Sequence, residues 1–243
     1  MRDFLGSQRF LVVYSAVVTL VFAITVLGGF APSRNASFKA ITAERVNIVE
    51  PDGTLRMVIA DKALFPGIIL KGAEHPHPNR HTAGMLFFND EGTENGGLTF
   101  GGSKGKNGEV SSNGHLSFDQ YEQDQVLTLD QNQQGGTRRS AMTLVDEPDY
   151  PIGELIAVTD RVKDRPAEEK RAAIADFMAK NGQPHQRLYI GRGEDRSVSV
   201  KLKDAEGRDR IVIEVGADGT PAIRLLDQDG KVIGAMPAER ERR

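Results

Sequence analysis

Carboxylates and one histidine gather in two polar stretches of this chain. Asn89-Asp90-Glu91 is followed closely by Glu94 and Asn95, and further on by His115, Asp119, Tyr121, Glu122 and Asp124. If the connections carrying them share one end of a sheet, Asp90, Glu94, Asp119 and Glu122 are the candidates for catalysis. Two carboxyls can divide acid and base duties once their surroundings split their pKa values. His115, Asp119, Tyr121 and Asp124 are the candidates for binding, because the polar stretch Asp119 to Gln125 lies between apolar runs where a binding loop would sit. The plainer alternative is that Asn, Asp and Gly are turn formers and the other charges a solvated face.

A second cluster is His75, His77 and His81, within His-Pro-His-Pro-Asn-Arg-His. Proline favours extension of the residue before it, so histidines two apart can point the same way and offer imidazoles to a divalent transition metal. No fourth protein ligand is identifiable, and a proline-rich loop also gathers histidines without purpose. Asp227-Gln228-Asp229-Gly230 lacks the spacing and the final glutamate of a calcium-binding loop, so it reads as a hairpin turn. Gly191-Arg192-Gly193 lacks the third glycine of a dinucleotide fingerprint. No phosphate-binding loop, nucleophile elbow or zincin helix occurs, no cofactor is called for, and the absence of cysteine rules out a thiol nucleophile.

The elements that must position these residues are strands. Val46 and Ile48, the turn Pro51-Asp52-Gly53, and Leu55, Met57 and Ile59 form a first hairpin, because glycine tolerates the positive φ that a tight turn demands. Met85 to Phe88 with Leu98 to Phe100 is a second, and Leu116 to Phe118 with Val126 to Leu129 a third. Met142 to Val145 with Leu155 to Val158 reads as a weaker fourth. Val198 to Leu202, Ile211 to Val215, Ile223 to Leu225 and Val232-Ile233 continue the pattern, with turn glycines at Gly207, Gly219 and Gly230. Short, evenly spaced strands predict an all-β fold of mainly antiparallel hairpins, as a sandwich or barrel or, ranked lower, a solenoid-like array. One amphipathic helix is expected over 166–180. It opens with Pro166 and Glu168-Glu169, ends before Asn181-Gly182, and carries Ala173, Ile174, Phe177 and Met178 as its apolar stripe.

An uncharged run from Phe10 to Phe30 precedes all of this. Its 21 residues would rise about 31 Å as a helix, enough for a hydrocarbon core of roughly 30 Å. It is too long for a signal-peptide apolar region, and Leu27-Gly28-Gly29 is a poor cleavage site. The expected organisation is therefore a tail over 1–9, a transmembrane signal anchor over 10–30, a linker over 31–40, a β-rich domain over 41–236 and a charged, disordered tail over 237–243. Arginines and lysines flank the anchor on both sides and do not orient it. The tiny N-terminal tail ahead of a long polar domain places that domain outside the cytoplasm, on the periplasmic side of a bacterial inner membrane.

The stretch Glu44 to Arg56 resembles a functionally uncharacterised family of bacterial membrane-anchored β-rich proteins. Gly84-Met85-Leu86-Phe87-Phe88-Asn89-Asp90-Glu91-Gly92-Thr93-Glu94-Asn95-Gly96-Gly97 and Gly114 to Gln125 are similar to it too. The resemblance covers about residues 40–160 and implies a bacterial origin, but no catalytic or ligand residue. The formal net charge of −3 gives no basic surface for nucleic acid. Tryptophan is absent and aromatics are 6 %, which argues against a sugar-stacking platform. The expected partners are the lipid bilayer, through residues 10–30, and either further copies of the chain, pairing at open sheet edges, or another envelope protein. A hydrolase using the clustered carboxylates is the alternative.

Overall fold

The computed structural model describes residues 8–29, 35–77 and 80–236, in two compact units, 1–42 and 43–243. Most of the expected N-terminal tail, part of the linker and the charged C-terminal tail lie outside the described residues. In the first unit, helix α1 (Gln8–Gly29) contains a stretch, Gln8–Val26, long and apolar enough to cross a membrane, with none of it buried. Leu11, Val13, Phe22 and Ile24 point to different sides and are all exposed. A helix apolar all round belongs in lipid or against a partner.

The second unit is all-β with two helices, built from antiparallel hairpins as expected. Its strands run β1 (Arg45–Val49), β2 (Leu55–Ala60), β3 (Ile68–Leu70), β4 (Ala73–His75), β5 (Ala83–Phe88), β6 (Glu94–Lys104) and β7 (Val110–Asp119). After them come β8 (Gln125–Gln134), β9 (Thr137–Asp146), β10 (His185–Arg192), β11 (Val198–Lys203), β12 (Asp209–Val215), β13 (Pro221–Leu226) and β14 (Val232–Met236). They form one 12-stranded meander in chain order, with β1 and β14 at its ends, while β3 and β4 make a separate two-stranded hairpin. Within the sheet every strand pairs with the one before it, so the form is an open sheet.

One turn geometry closes most of these hairpins. At Glu50–Thr54 the Glu50 N–H donates to the Thr54 carbonyl and the Gly53 N–H to the Glu50 carbonyl, both at 2.9 Å. The same two bonds recur at Asn89–Thr93, Gly105–Glu109, Gly193–Ser197, Asp204–Arg208, Gly216–Thr220 and Asp227–Lys231. This is a three-residue loop whose last position is left-handed. Glycine holds that position in all of these but Gly193–Ser197, where it is Arg196 at φ 74°; Gln120–Asp124 makes the same two bonds without a glycine, and there Glu122 is left-handed at φ 51°. Acidic side chains serve the turns directly. Asp52 accepts the Thr54 N–H at 2.9 Å, and Asp227 accepts the N–H groups of Asp229 and Lys231 at 3.0 and 2.8 Å. Asp227-Gln228-Asp229-Gly230 is the hairpin turn its spacing suggested.

The expected strand at Leu155 to Val158 is instead part of helix α2 (Ile152–Arg161), followed by α3 (Ala167–Asn181) where a helix was expected. Pro151 caps α2, Glu154 sits in its first turn and Arg161 in its last. Ile152, Leu155 and Ile156 then recur at helical spacing, which a short apolar run does not distinguish from a strand. The two helices are an excursion between β9 and β10, which still pair with each other. The edge of Tyr150 meets the ring of Phe177 on α3, centroids 4.9 Å apart.

Cross-strand partners share a face, and the register separates two unlike faces. On one face lies an unbroken row with one residue from each strand. It runs Val46, Ile59, Met85, Leu98, Leu116 and Leu129, then continues through Met142, Ile190, Val200, Ile213, Ile223 and Met236. The neighbouring row runs Ile48, Met57, Phe87, Gly96, Phe118 and Leu127, then Leu144, Leu188, Leu202, Ile211, Leu225 and Gly234. The other face begins apolar and turns polar. Val58, Ala60, Leu86 and Phe88 form a core with Ile69 of β3 lying over them, and beyond it stand Ser117, Thr128, Tyr189, Lys201 and Arg224.

Candidate functional site

On the polar face the chain after β4 folds back over β6 and positions a small cleft. Arg80 is its clamp. Its guanidinium donates to both oxygens of Glu94 at 3.0 and 2.5 Å and to the Gly67 carbonyl at 2.6 Å, while its charge lies 5.9 Å from the centre of the Phe65 ring. The β3–β4 hairpin is pinned again where the Lys71 N–H donates to the Thr93 hydroxyl at 2.9 Å. His77, Arg80, Glu94 and Gln125 are common to two lobes. One, of about 130 Å³, adds Asp119, Gln123 and Asp124. The other, of about 250 Å³, adds Asn113, His115 and Ser117.

Burial raises the Asp119 carboxyl to about 7, and the charges of Glu94 and Asp124 push the same way. Its Oδ1 is buried without a hydrogen-bond partner, as is Nδ1 of His77. Burial and the nearby Arg80 lower the His77 pKa. Glu147, just past the end of β9, is likewise raised to about 7, by burial and then by Asp124. In the second lobe His115 Nδ1 meets Asp130 Oδ1 at 2.7 Å, and that bond raises the histidine. Thr128 donates to the other Asp130 oxygen at 2.6 Å. The cleft therefore sets one carboxyl that holds its proton near neutrality, Asp119, beside a fixed Arg80–Glu94 ion pair.

The candidate residues divide accordingly. Glu94, Asp119, Asp124, His77 and His115 come together around the cleft. Asp90 is exposed in its turn and ion-paired with Arg56 at 2.5 Å, and Glu122 is paired with Lys71 at 2.5 Å. Tyr121 is exposed and donates to Glu91 at 2.8 Å. The stretch Asp119 to Gln125 is no open loop. Asp119 and Gln125 pair across β7 and β8, and the Gln120 N–H closes on the Asp124 carbonyl at 3.0 Å. His75 is paired with Ile68 on β4 and His81 is exposed. Among the described residues, no group of three or more His, Asp or Glu side chains is placed to hold a metal ion.

Two contributors escaped the sequence reading. Gln123, 7 % exposed, ties the β7–β8 turn to the chain entering α2, donating to the Pro148 and Tyr150 carbonyls at 3.1 and 2.6 Å. The larger omission is the apolar face. Alternation along each strand was visible, but that every strand would align its apolar residues on one uncovered face depends on register. Leu129, Ile190 and Ile213 on the first row are 45, 40 and 44 % exposed. A shallow hollow of about 480 Å³ lies on the sheet around Leu98, Leu116, Leu129 and Ile190.

No protein-family model matches the chain, and no curated protein matches it.

Proposed function

We propose that this is a single-pass membrane protein of a bacterial envelope whose β-domain lies outside the cytoplasm and works by binding, through the apolar face of its sheet. The observation that carries the reading is the two rows running across all twelve strands. Monomeric soluble proteins rarely leave contiguous apolar surface of more than a few hundred Å² open, and larger patches mark interaction sites. The apolar helix α1 supplies the anchor. A reporter enzyme that works only outside the cytoplasm, fused after Arg243, is expected to be active in whole cells. Silence, with the full-length fusion present in membranes, would put the β-domain in the cytoplasm. For the face itself, Ile190→Cys in native membranes is expected to resist a water-soluble maleimide that labels Lys201→Cys on the opposite face. Rapid, equal labelling of the two would remove the binding role.

A second reading, an extracytoplasmic hydrolase, has one observation in its favour. Glu94 and Asp119 line the same lobe, and Asp119 keeps its proton to about pH 7, as a general acid requires. Against it, Arg80 occupies both Glu94 oxygens, and each lobe is smaller than the roughly 300 Å³ at which organic-ligand pockets begin. Turnover of a chromogenic ester or glycoside that Asp119→Asn abolishes without lowering Tm would favour hydrolysis. No turnover across such a panel would close that reading.

A further inference from the structure

We propose that the apolar face is the contact surface between two copies of this chain, docked face to face about a twofold axis. This rests on the reading above that the face binds a partner, and it names that partner.

The area is sufficient. Twelve strands at about 4.8 Å spacing make a row about 53 Å long, and two rows about 7 Å apart with their side chains cover a band about 12 Å wide. That is roughly 600 Å² from each copy and above 1,200 Å² for the pair, the range of stable specific interfaces. The composition fits a copy of the same face. Both rows hold only Val, Ile, Leu, Met and Phe, with Gly96 and Gly234 as the two exceptions. Two such rows meet without like-charge repulsion, and they hold no Lys or Arg to attract an anionic lipid surface; Arg192, paired with Ser140, lies beside them on the same face.

The geometry is also self-matching. Two identical faces carry the same spacing along and across the strands, so the rows of one settle between the rows of the other, as in sheets packed about 10 Å apart. A twofold contact of this kind uses one patch on both partners and closes the assembly at two. Anchoring by α1 confines the copies to a plane and raises their effective concentration.

The chain contains no cysteine, so each introduced thiol is unique. Full-length single-cysteine variants in native membranes would be treated with a short bifunctional maleimide. The set is Ile59→Cys, Leu98→Cys, Leu129→Cys, Ile190→Cys and Ile213→Cys on the apolar face, with Lys201→Cys and Arg224→Cys on the other. At least one apolar-face thiol is expected to give a band at twice the chain mass, at least tenfold above either polar-face control. Adding Leu202→Asp should reduce that band several-fold. Three results would overturn the proposal. Cross-linking of the apolar face only to a different protein would retain the binding role and reject the second copy. Shielded face thiols that never cross-link, with quenching of a probe there by brominated lipid, would assign the face to the bilayer. Freely labelled, uncrosslinked thiols would end both the proposal and the binding role.

Discussion

Arg80 grips Glu94 through two guanidinium nitrogens, at 3.0 and 2.5 Å, with both side chains largely shielded from water. The pair joins the segment after β4 to the start of β6 and holds the β3–β4 hairpin over the sheet. Removing one partner leaves a buried charge without its counterion. Glu94→Gln and Arg80→Ala are each expected to cost about 3 kcal/mol, read as a lower urea midpoint. Equal stability would mean the pair is exchangeable with water.

Asp119 and Glu147 give the domain a pH dependence of definite sign. Both carboxyls are raised to about 7 in the folded protein, against about 4 when unfolded. The folded state therefore binds more protons between pH 4 and 7, and stability falls as pH rises through that window. For Asp119 the loss is on the order of 4 kcal/mol at most, since one pKa unit is about 1.4 kcal/mol; Glu147, more exposed, loses less. Asp119→Asn should flatten the slope and raise stability at pH 8. Urea titrations at pH 5 and 8 check both, and an unchanged slope would place Asp119 in water.

His115 and Asp130 form the other titrating pair. The hydrogen bond that His115 donates to Asp130 raises the histidine, so its contribution is full below the unfolded pKa and is lost as pH rises through the folded one. Asp130→Asn should lower the His115 pKa, read from its ring-proton shifts by NMR. A pKa that does not move would mean the bond is absent in solution.

Two strand glycines make a controlled contrast. A Cβ on Gly84 would lie 2.2 Å from the Leu98 carbonyl oxygen of the paired strand, which is backbone and cannot step aside. Gly114, also in a strand, has nothing within 4 Å of a Cβ. Gly84→Ala is expected to cost about 2–3 kcal/mol, whereas Gly114→Ala should be neutral or slightly stabilising because glycine disfavours strand interiors. Similar midpoints for the two variants would contradict the β5–β6 register.

Arg196 stands at φ 74° where the matching turns carry glycine. A side chain in the left-handed region costs about 1–2 kcal/mol, so Arg196→Gly should raise Tm by a few degrees. A fall would mean that the arginine side chain contributes more than its backbone strain.

Turns and strands were legible because their physics is local. Asp-Gly and Asn-x-x-Gly connections need only a left-handed glycine and a side-chain acceptor, so hairpins and acidic turns follow from residues a few positions apart. Helix α3 announced itself through Pro166, Glu168 and Gly182, and α1, long and apolar enough to cross a membrane, through length and apolarity alone. Where the local signal was ambiguous the reading failed: Leu155 to Val158 is apolar enough for a strand, and only Pro151 with the i, i+3, i+4 spacing from Ile152 makes it a helix.

Long-range register decided the rest. That Arg80 meets Glu94, and that Asp119 loses its solvent while Asp90 keeps it, depends on where the chain after β4 folds back, which no spacing encodes. Local patterns in the residues account for an apolar helix long enough to cross a membrane and for antiparallel hairpins with alternating apolar residues. That twelve of the strands join in chain order into a single sheet is a matter of pairing between distant residues. Because a one-residue slip in any pair turns that strand's apolar residues to the other side, the continuous face from Val46 to Met236 exists only once all the registers agree.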